Sequence, residues 1–284
     1  MLTIRPFTPR DIALGMRLKS AAGWNQTEAD WRRALQLQPD GCFVGECDGT
    51  PAATLTFCCF GPVAWIAMVL TDPEFRGRGL ASALMRHAVE LLQSRGVTTI
   101  RLDATPLGRP VYERLGFAVD YELNRWKREA LSAAAIDDSK YPGLRQASPE
   151  DLGAIMELDR QTVGCDRSKF LAALLAVSPA GAFITDGTPR PAGFALCRLG
   201  SDALQLGPIV AIDPKVGRLL LSTAIAETGK TAHYCDAPTK NTAAETSLRA
   251  AGFSSLRPLY RMTLGEKRTD DLALLWAASG PEKG

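Results

Sequence analysis

Two arginines and two glycines alternate in Arg76-Gly-Arg-Gly79, between an apolar strand-like segment and a helix-like segment. Glycine accepts the positive backbone angles of a tight turn, so Gly77 and Gly79 can lead the chain abruptly into the helix. The first N–H groups of a helix have no partner within it and carry the positive end of the helix dipole. Arg76 and Arg78 add positive charge at the same place. The pattern predicts a cradle for a pyrophosphate group.

This loop and a second segment resemble one enzyme superfamily. Arg76-x-x-Gly79-x-Ala81 resembles the coenzyme A loop of the GNAT N-acetyltransferases, and Val111-Tyr-Glu-Arg-Leu-Gly-Phe117 is similar to their tyrosine-bearing helix. The resemblance implies acetyl-CoA as co-substrate, with no metal. It also implies the residues that hold acetyl-CoA. They are Val69, Leu70 and Thr71 along the pantetheine, and Arg76, Gly77, Arg78, Gly79, Leu80, Ala81 and Ser82 around the pyrophosphate.

Tyr112 is the candidate general acid for the departing thiolate. A phenol is protonated at neutral pH and can donate its proton without a metal or a histidine. The alternative is a tyrosine that only packs its ring in the core. Many GNAT members have an asparagine seven residues before this tyrosine, whereas this chain has Thr105. Thr105 is therefore the candidate for the cofactor contacts made there by the asparagine amide.

Asp103 is the candidate general base, because it ends an apolar strand beside the predicted acetyl site. The alternative role is a strand-end carboxylate that caps a turn, which its counterpart Asp236 in the second half of the chain supports. Glu28 and Glu46 are weaker candidates. Deprotonation of the amine through ordered water requires no single side chain.

Trp24 and Asn25 are the candidate contacts for the acceptor substrate. They lie between the first two predicted helices, where GNAT folds bring a loop over the acceptor pocket. An exposed Trp-Asn pair would suit a small molecule that bears an amine. The alternative is a buried Trp24 that anchors the loop.

Composition narrows the class of protein. The chain has 284 residues, 46% of them apolar and 23% charged, which is typical of a globular protein of two domains. A net charge of +2 without long basic runs predicts no nucleic-acid partner. The absence of long apolar runs predicts a cytoplasmic protein that does not bind membranes. Seven cysteines without a Cys-x-x-Cys pair, and two histidines, predict neither disulfides nor a metal site.

Local signals place several elements in the first half of the chain. Thr27, with Asp30 three residues later, predicts a capped helix start. Cys42–Cys47 and Ala52–Phe60 predict a hairpin with a turn at Asp48-Gly49. After the glycine loop, apolar residues at helical spacing predict a helix that ends before Gly96.

The chain also repeats itself at a nearly constant offset. Arg5 recurs as Arg145, Asp72-Pro73 as Asp213-Pro214, and Gly116-Phe117 as Gly252-Phe253, at offsets of 140, 141 and 136 residues. Landmarks in a conserved order indicate a duplicated unit. In the second copy the glycine turn is missing after Asp213-Pro214, and Leu248 stands where the first copy has Tyr112. The second copy is therefore expected to have lost the cofactor loop and the acid.

The repeat predicts four segments: a catalytic domain at 1–130, a linker at 131–141, a degenerate domain at 142–266, and a tail with a short helix at 267–284. The resemblance implies tandem folds of the α/β (α+β) class. Each has the order β-α-α-β-β-β-α-β-α-β and a mixed, mostly antiparallel twisted sheet flanked by helices. The chain is expected to be a monomer of two pseudo-dimeric domains or a homodimer.

These observations predict an acetyl-CoA-dependent N-acetyltransferase in which the amine of a small molecule attacks the thioester directly. Two other functions compete. Gly77-x-Gly79-x-x-Ser82 followed by Asp103 satisfies much of a dinucleotide-binding fingerprint, which would indicate an NAD-dependent oxidoreductase. A protein that binds or senses acyl-CoA without catalysis is the other alternative.

Overall fold

The computed structural model describes residues 1–130, 143–177, 181–187, 190–229 and 231–281, so the predicted linker at 131–141 lies outside the described residues. The chain divides into two compact units. The first unit holds Met1–Val119, Met262–Lys267 and Pro281, and the second holds Asp120–Arg261 and Arg268–Gly280. The domain boundaries 1–130 and 142–266, which were predicted from the repeat, remain a prediction. The compact units differ from these ranges in the strands that end each copy.

The first copy folds in the predicted order of elements. They are β1 (Leu2–Pro6), α1 (Ile12–Ala21), α2 (Glu28–Leu37), β2 (Cys42–Cys47), β3 (Thr50–Phe60), β4 (Val63–Thr71), α3 (Leu80–Ser94), β5 (Thr99–Ala104), α4 (Arg109–Glu113) and β6 (Ala118–Arg128). The hairpin of β2 and β3 and the helix that ends before Gly96 are confirmed. Thr27 and Asp30 form the predicted capping box at the start of α2.

The sheet of the first unit is covered by helices on both faces. Strands β1 to β4 pair antiparallel in chain order, and β5 pairs parallel with β4. On one face, Val44 joins a buried cluster that includes Phe7 and Trp31, to which α1 and α2 contribute. On the other face, Gly45 lies against Leu80 and Leu84 of α3, where an added Cβ would stand 3.2 Å from Leu84. Burial of these apolar faces holds the strands in place beneath α3.

The second copy repeats this order, and the tail adds one further strand. Its elements are β7 (Leu144–Gln146), α5 (Leu152–Val163), α6 (Ser168–Val177), β8 (Phe183–Thr185), β9 (Gly193–Arg198), β10 (Leu204–Ala211), α7 (Pro214–Glu227), β11 (His233–Pro238), α8 (Thr242–Ala250), β12 (Ser254–Gly265) and β13 (Leu275–Ala277). Strand β10 pairs parallel with β11, as β4 does with β5. The mixed, mostly antiparallel sheets flanked by helices confirm the predicted fold class.

Both copies begin with the same ion pair. In the first unit Arg5 donates to both carboxylate oxygens of Asp11 at 2.9 and 2.8 Å, and Asp11 closes a capping box with Thr8. In the second unit Arg145 donates to both carboxylate oxygens of Asp151 at 2.7 and 2.6 Å, next to an equivalent capping box. The duplicated landmark in the sequence thus corresponds to a duplicated local structure.

The predicted short helix in the tail is wrong. Residues 272–274 form a turn, and Leu275–Ala277 form strand β13, which pairs antiparallel with β10. The apolar residues that indicated one side of a helix are buried in the second unit instead, with Trp276 only 3% exposed. Tertiary contacts override local propensity in a segment this short.

Among the described residues, no helix is long and apolar enough to cross a membrane.

His233 gives the second unit a testable dependence of stability on pH. Burial, and then the charge of Arg128, lower the pKa of His233 to about 4, and its Nε2 lies 2.8 Å from the Thr228 hydroxyl. The unfolded chain binds a proton near pH 6.5, so stability is complete above that pH and falls as the pH drops towards 4. We expect the free energy of unfolding to fall by about 2 kcal/mol between pH 7 and pH 5.

Urea denaturation of the parent and of His233→Gln at both pH values measures this loss, which should be absent in the variant. The chain has two histidines, so His87→Gln is the matched control and should keep the loss. A His233→Gln variant that loses as much stability as the parent would contradict the assignment.

Candidate active site

Strand β4 carries an irregularity at its centre. Its pairing with β3 shifts between Thr54, opposite Leu70, and Thr56, opposite Ala67, so that Met68 and Val69 together stand opposite one residue. Met68 has a φ of 49°, a backbone angle that side-chain-bearing residues rarely adopt. The Thr54 hydroxyl donates to the Met68 carbonyl at 3.0 Å, and this bond stabilises the bulge. The sequence contains no glycine at this position that could have indicated a bulge.

Strands β4 and β5 pair only at their amino ends, over three residues of each strand. Their parallel register runs from Val63 opposite Thr99 to Trp65 opposite Arg101, although β4 continues to Thr71 and β5 to Ala104. Beyond these pairs the carboxyl ends of the two strands stand apart. Ligands of sheets with parallel strands bind at such ends, where backbone groups are left without ladder partners.

A pocket lies at this opening within the first unit. It is lined by Trp24, Gln26, Ile66, Ala67, Met68, Val69, Leu102, Asp103, Tyr112 and Pro281. Four of the residues singled out in the sequence therefore meet here: Trp24, Val69, Asp103 and Tyr112. The other lining residues were not foreseen, because their presence depends on the bulge in β4 and on the path of distant segments. Glu28 and Glu46 pair with Arg32 and Arg5, away from this lining.

Tyr112 lies on α4 with its ring held between neighbours. The ring is tilted against Phe117 with centroids 6.2 Å apart, and a Cβ added to Gly108 would stand 3.1 Å from its edge. Burial raises the pKa of Tyr112, so its hydroxyl keeps its proton throughout the neutral range. A protonated phenol on a pocket wall is what a general acid requires.

The remaining candidates occupy defined positions around this pocket. Asp103 is half-buried near the end of β5. Thr105 accepts from the Gly108 N–H through its hydroxyl at 3.2 Å, so it shapes the turn that leads into α4. Trp24 packs against the core cluster and also lines the pocket, while Asn25 is only 2% exposed.

The glycine turn has the geometry of an open anion cradle. Gly77 and Gly79 have φ angles of 77° and 81°, and a Cβ added at either position would meet no atom within 4 Å. Gly79 precedes α3 and provides no side-chain cap, so the first N–H groups of the helix remain available to a ligand. Arg76 and Arg78 are exposed beside them, and Arg78 lies over the Phe75 ring at 5.0 Å. These features fit a pyrophosphate.

Asp72 fixes the exit of β4 towards the cradle. Its buried carboxylate pairs with Arg17 and accepts from the Glu74 N–H at 3.1 Å. The hydrogen bond from Arg17 lowers the pKa of Asp72, which keeps the carboxylate ionised. The turn at Pro73–Phe75 follows directly, so the ion pair and the turn together set the direction in which the glycine loop begins.

The equivalent helix of the second unit begins differently. Asp213 precedes α7, and its carboxylate accepts from the N–H groups of Lys215 at 2.8 Å and Val216 at 3.0 Å. A carboxylate cap satisfies the donors that a phosphate would use and places negative charge at the helix start. The sequence already lacked the glycine turn here, and the capped helix gives a second reason against pyrophosphate binding.

Comparisons with known proteins show the family to which both halves of the chain are similar. The model of the acetyltransferase (GNAT) family matches residues 15–117, and a second model, an acetyltransferase (GNAT) domain, matches residues 155–277. The uncharacterized N-acetyltransferase YitH of Bacillus subtilis is 26% identical over 241 residues, which cover 84% of this chain and 83% of that protein.

Two solved structures share the fold. A putative acetyltransferase from Pyrococcus horikoshii aligns with a TM-score of 0.82 and 24% identity, covering 100% of this chain and 96% of that one. A tandem GNAT protein from the clavulanic acid biosynthesis pathway aligns with a TM-score of 0.66 and 17% identity, covering 95% of this chain and 100% of that one.

The chain is an acetyltransferase with two GNAT domains in tandem and belongs to the GNAT family. Members of this family generally use acetyl-CoA as co-substrate. The family assignment replaces the dinucleotide-binding interpretation of Gly77 and Gly79.

Proposed function

We propose that the first unit transfers the acetyl group of acetyl-CoA to the amine of a small molecule by direct attack on the thioester. The observation that carries this proposal is the placement of two features at the same strand ends. The uncapped start of α3 follows β4, and the pocket with Tyr112 and Asp103 lies where β4 and β5 stand apart. A bound diphosphate and a reacting group could therefore belong to one extended ligand.

The cradle and the edge of β4 bind different parts of acetyl-CoA in this proposal. Helix N–H groups of Leu80, Ala81 and Ser82 hold the pyrophosphate with Arg76 and Arg78, and the backbone of the Gly77–Gly79 turn approaches it closely. Only the backbone of Leu80 can serve, because its side chain is 2% exposed in the core. The backbone of Val69–Thr71 lies past the last β4–β5 pair and accepts the pantetheine amides as an added strand.

Two side chains move the protons. Acetyl-CoA supplies the activated acetyl group, and the amine nitrogen forms its new bond to the carbonyl carbon as the carbon–sulfur bond breaks. The Tyr112 hydroxyl gives its proton to the departing sulfur, and Asp103 takes the proton that the amine loses. Both groups line the same pocket, and solvent exchange restores their starting protonation states.

The lining of the pocket favours a small acceptor with an apolar part. Trp24 and Met68 supply apolar surface, and Gln26 supplies an amide. Asn25, which is buried and follows Trp24 directly in the same loop, is proposed to orient Trp24 and to contact the acceptor.

Release of thiol from acetyl-CoA tests the reaction. We would screen amino acids, polyamines, aminoglycosides and simple amines, and confirm N-acetylated products by mass spectrometry. At least one class of amine is expected to raise thiol release well above the rate without amine. Tight acetyl-CoA binding without transfer to any amine would instead support the non-catalytic acyl-CoA-binding alternative. Binding of NAD in place of acetyl-CoA would contradict the proposal altogether.

We expect one acetyl-CoA to bind per chain. The first unit has an open helix start, whereas Asp213 caps the start of α7 in the second unit. Isothermal titration of the full chain should give a stoichiometry of one. A stoichiometry of two would show that the second unit binds acetyl-CoA without a glycine turn.

A further inference from the structure

The second unit contains an opening like that between β4 and β5, and a segment of the chain fills it. Strands β10 and β11 pair from Leu204 opposite His233 to Leu206 opposite Cys235. Further along, β10 pairs antiparallel with β13, and the Ala278 N–H donates to the Asp236 carbonyl at 2.8 Å. Residues Arg268–Gly280, which we call the tail segment, therefore place a strand between the two diverging strands.

Two glycines make room for the tail segment. A Cβ added to Gly207 would stand 2.0 Å from the Ala278 carbonyl oxygen, and one added to Gly217 would stand 2.0 Å from the Trp276 ring. Neither distance is compatible with a side chain. Trp276 thus lies directly on the first turn of α7, the helix that corresponds to α3 in the first unit.

Buried polar groups of the second unit are satisfied by the tail segment. The Asp270 carboxylate accepts from Arg261 at 3.1 Å and from the Tyr121 hydroxyl, and both Arg261 and Asp270 have side chains with 0% exposure. The Asn241 amide donates to the Leu275 carbonyl at 3.0 Å. Loss of the Asp270 carboxylate would remove one charged partner from the buried Arg261 guanidinium, and such a loss is costly.

We infer that the cleft between β10 and β11 is a peptide-binding groove whose ligand is the tail segment. In the first unit the corresponding place is the one proposed for the pantetheine part of acetyl-CoA. The location of the pantetheine in the first unit rests on the proposed function. The groove binds by strand addition through β13, with a pocket for Trp276 and a buried cation for Asp270. The degenerate GNAT domain thus binds a segment of its own chain at the place where the first unit is proposed to bind acetyl-CoA.

Cleavage of the connection to the tail segment tests this inference. A recognition sequence for a site-specific protease is inserted after the exposed Lys267 in the full chain. After cleavage and dialysis, a fluorescent synthetic peptide of residues 268–280, the tail segment, is titrated and its anisotropy is followed. We expect saturable binding to the cleaved chain. The uncleaved chain should not bind the peptide, because its own segment occupies the groove.

Peptide variants separate specific docking from adhesion. Trp276→Ala and Asp270→Asn peptides should each bind at least tenfold more weakly, whereas Thr269→Ala, which changes an exposed residue, should bind like the parent peptide. Equal affinity of the Trp276→Ala and parent peptides would overturn the inference. So would a cleaved chain that has released its tail segment, as mass spectrometry of the dialysed sample shows, keeps its circular dichroism spectrum and does not bind the parent peptide.

Two further measurements address unfolding of the cleaved chain and binding of acetyl-CoA. If the cleaved chain unfolds, the parent peptide should raise its melting temperature with concentration while the Trp276→Ala peptide does not, and equal effects would overturn the inference. Acetyl-CoA titration of the uncleaved chain, which keeps Pro281 in the lining of the first unit's pocket, tests the proposed function separately, so its failure would be visible there. A second equivalent of acetyl-CoA bound after loss of the peptide would show that the groove is a cofactor site.

Discussion

Gly79→Val is expected to abolish detectable acetyl-CoA binding. Valine at a φ of 81° is strongly disfavoured, so the turn must change shape and move the first N–H groups of α3. Its side chain would also enter the open space in front of the helix, which we propose the pyrophosphate occupies. Hydrogen bonds to charged groups contribute about 1.5–3 kcal/mol each, so the loss of two weakens binding at least about a hundredfold. Isothermal titration measures the change.

Gly96→Val is the matched control for this variant. Gly96 follows the other end of α3, has a φ of 78°, and likewise meets no atom within 4 Å of an added Cβ. The two substitutions therefore impose similar backbone strain on the same helix, and melting temperatures should fall to a similar extent. Acetyl-CoA affinity should be unchanged in Gly96→Val. If folded Gly79→Val keeps the affinity of the parent, the pyrophosphate binds elsewhere.

Tyr112→Phe is expected to lower kcat by about 10²–10⁴-fold while acetyl-CoA affinity stays close to that of the parent. The substitution removes the hydroxyl proton and leaves the ring between Gly108 and Phe117. Steady-state rates with the acceptor found in the amine screen, together with titration of acetyl-CoA, separate the chemical step from binding. The loss should be smaller for acceptors whose product release limits the rate of the parent.

Tyr234→Phe removes a hydroxyl from the second unit and serves as the control. Tyr234 lies beneath Arg125, with the guanidinium 5.4 Å from the ring centroid, and takes no part in the pocket of the first unit. Its kcat should match that of the parent. A Tyr112→Phe rate within about twofold of the parent would show that Tyr112 packs in the core and that another group protonates the thiolate.

Short-range signals accounted for most of the elements in the first unit. The Thr27–Asp30 capping box and the β2–β3 hairpin each depend on a few adjacent residues, and the structure contains both. The glycine turn is equally local, because glycine adopts positive φ angles such as those of Gly77 and Gly79 without steric cost. Such features could be predicted without knowledge of any tertiary contact.

The pocket lining was only partly predictable. Trp24, Asp103 and Tyr112 were found from their chemistry and from the GNAT resemblance, and the structure brings them together. Met68 and Pro281 were missed for different reasons. Met68 reaches the pocket through a bulge supported by a hydroxyl from the neighbouring strand, and Pro281 is more than 150 residues distant in sequence from the rest of the lining. Neither contact leaves a periodic or compositional signal.

By itself the sequence determined the family, the duplication and the chemical difference between the two copies, because each can be recognised from short motifs and their spacing along the chain. The absence of the glycine turn after Asp213-Pro214 can be read directly from the sequence. Only the tertiary structure decided the conformation of the tail segment. Trp276 and its neighbours have helix-like spacing, yet they form a strand, since β10 offers backbone partners and Gly217 leaves room for the indole ring. Burial of that ring and pairing of Asp270 with Arg261 outweigh the weak helical preference of so short a segment.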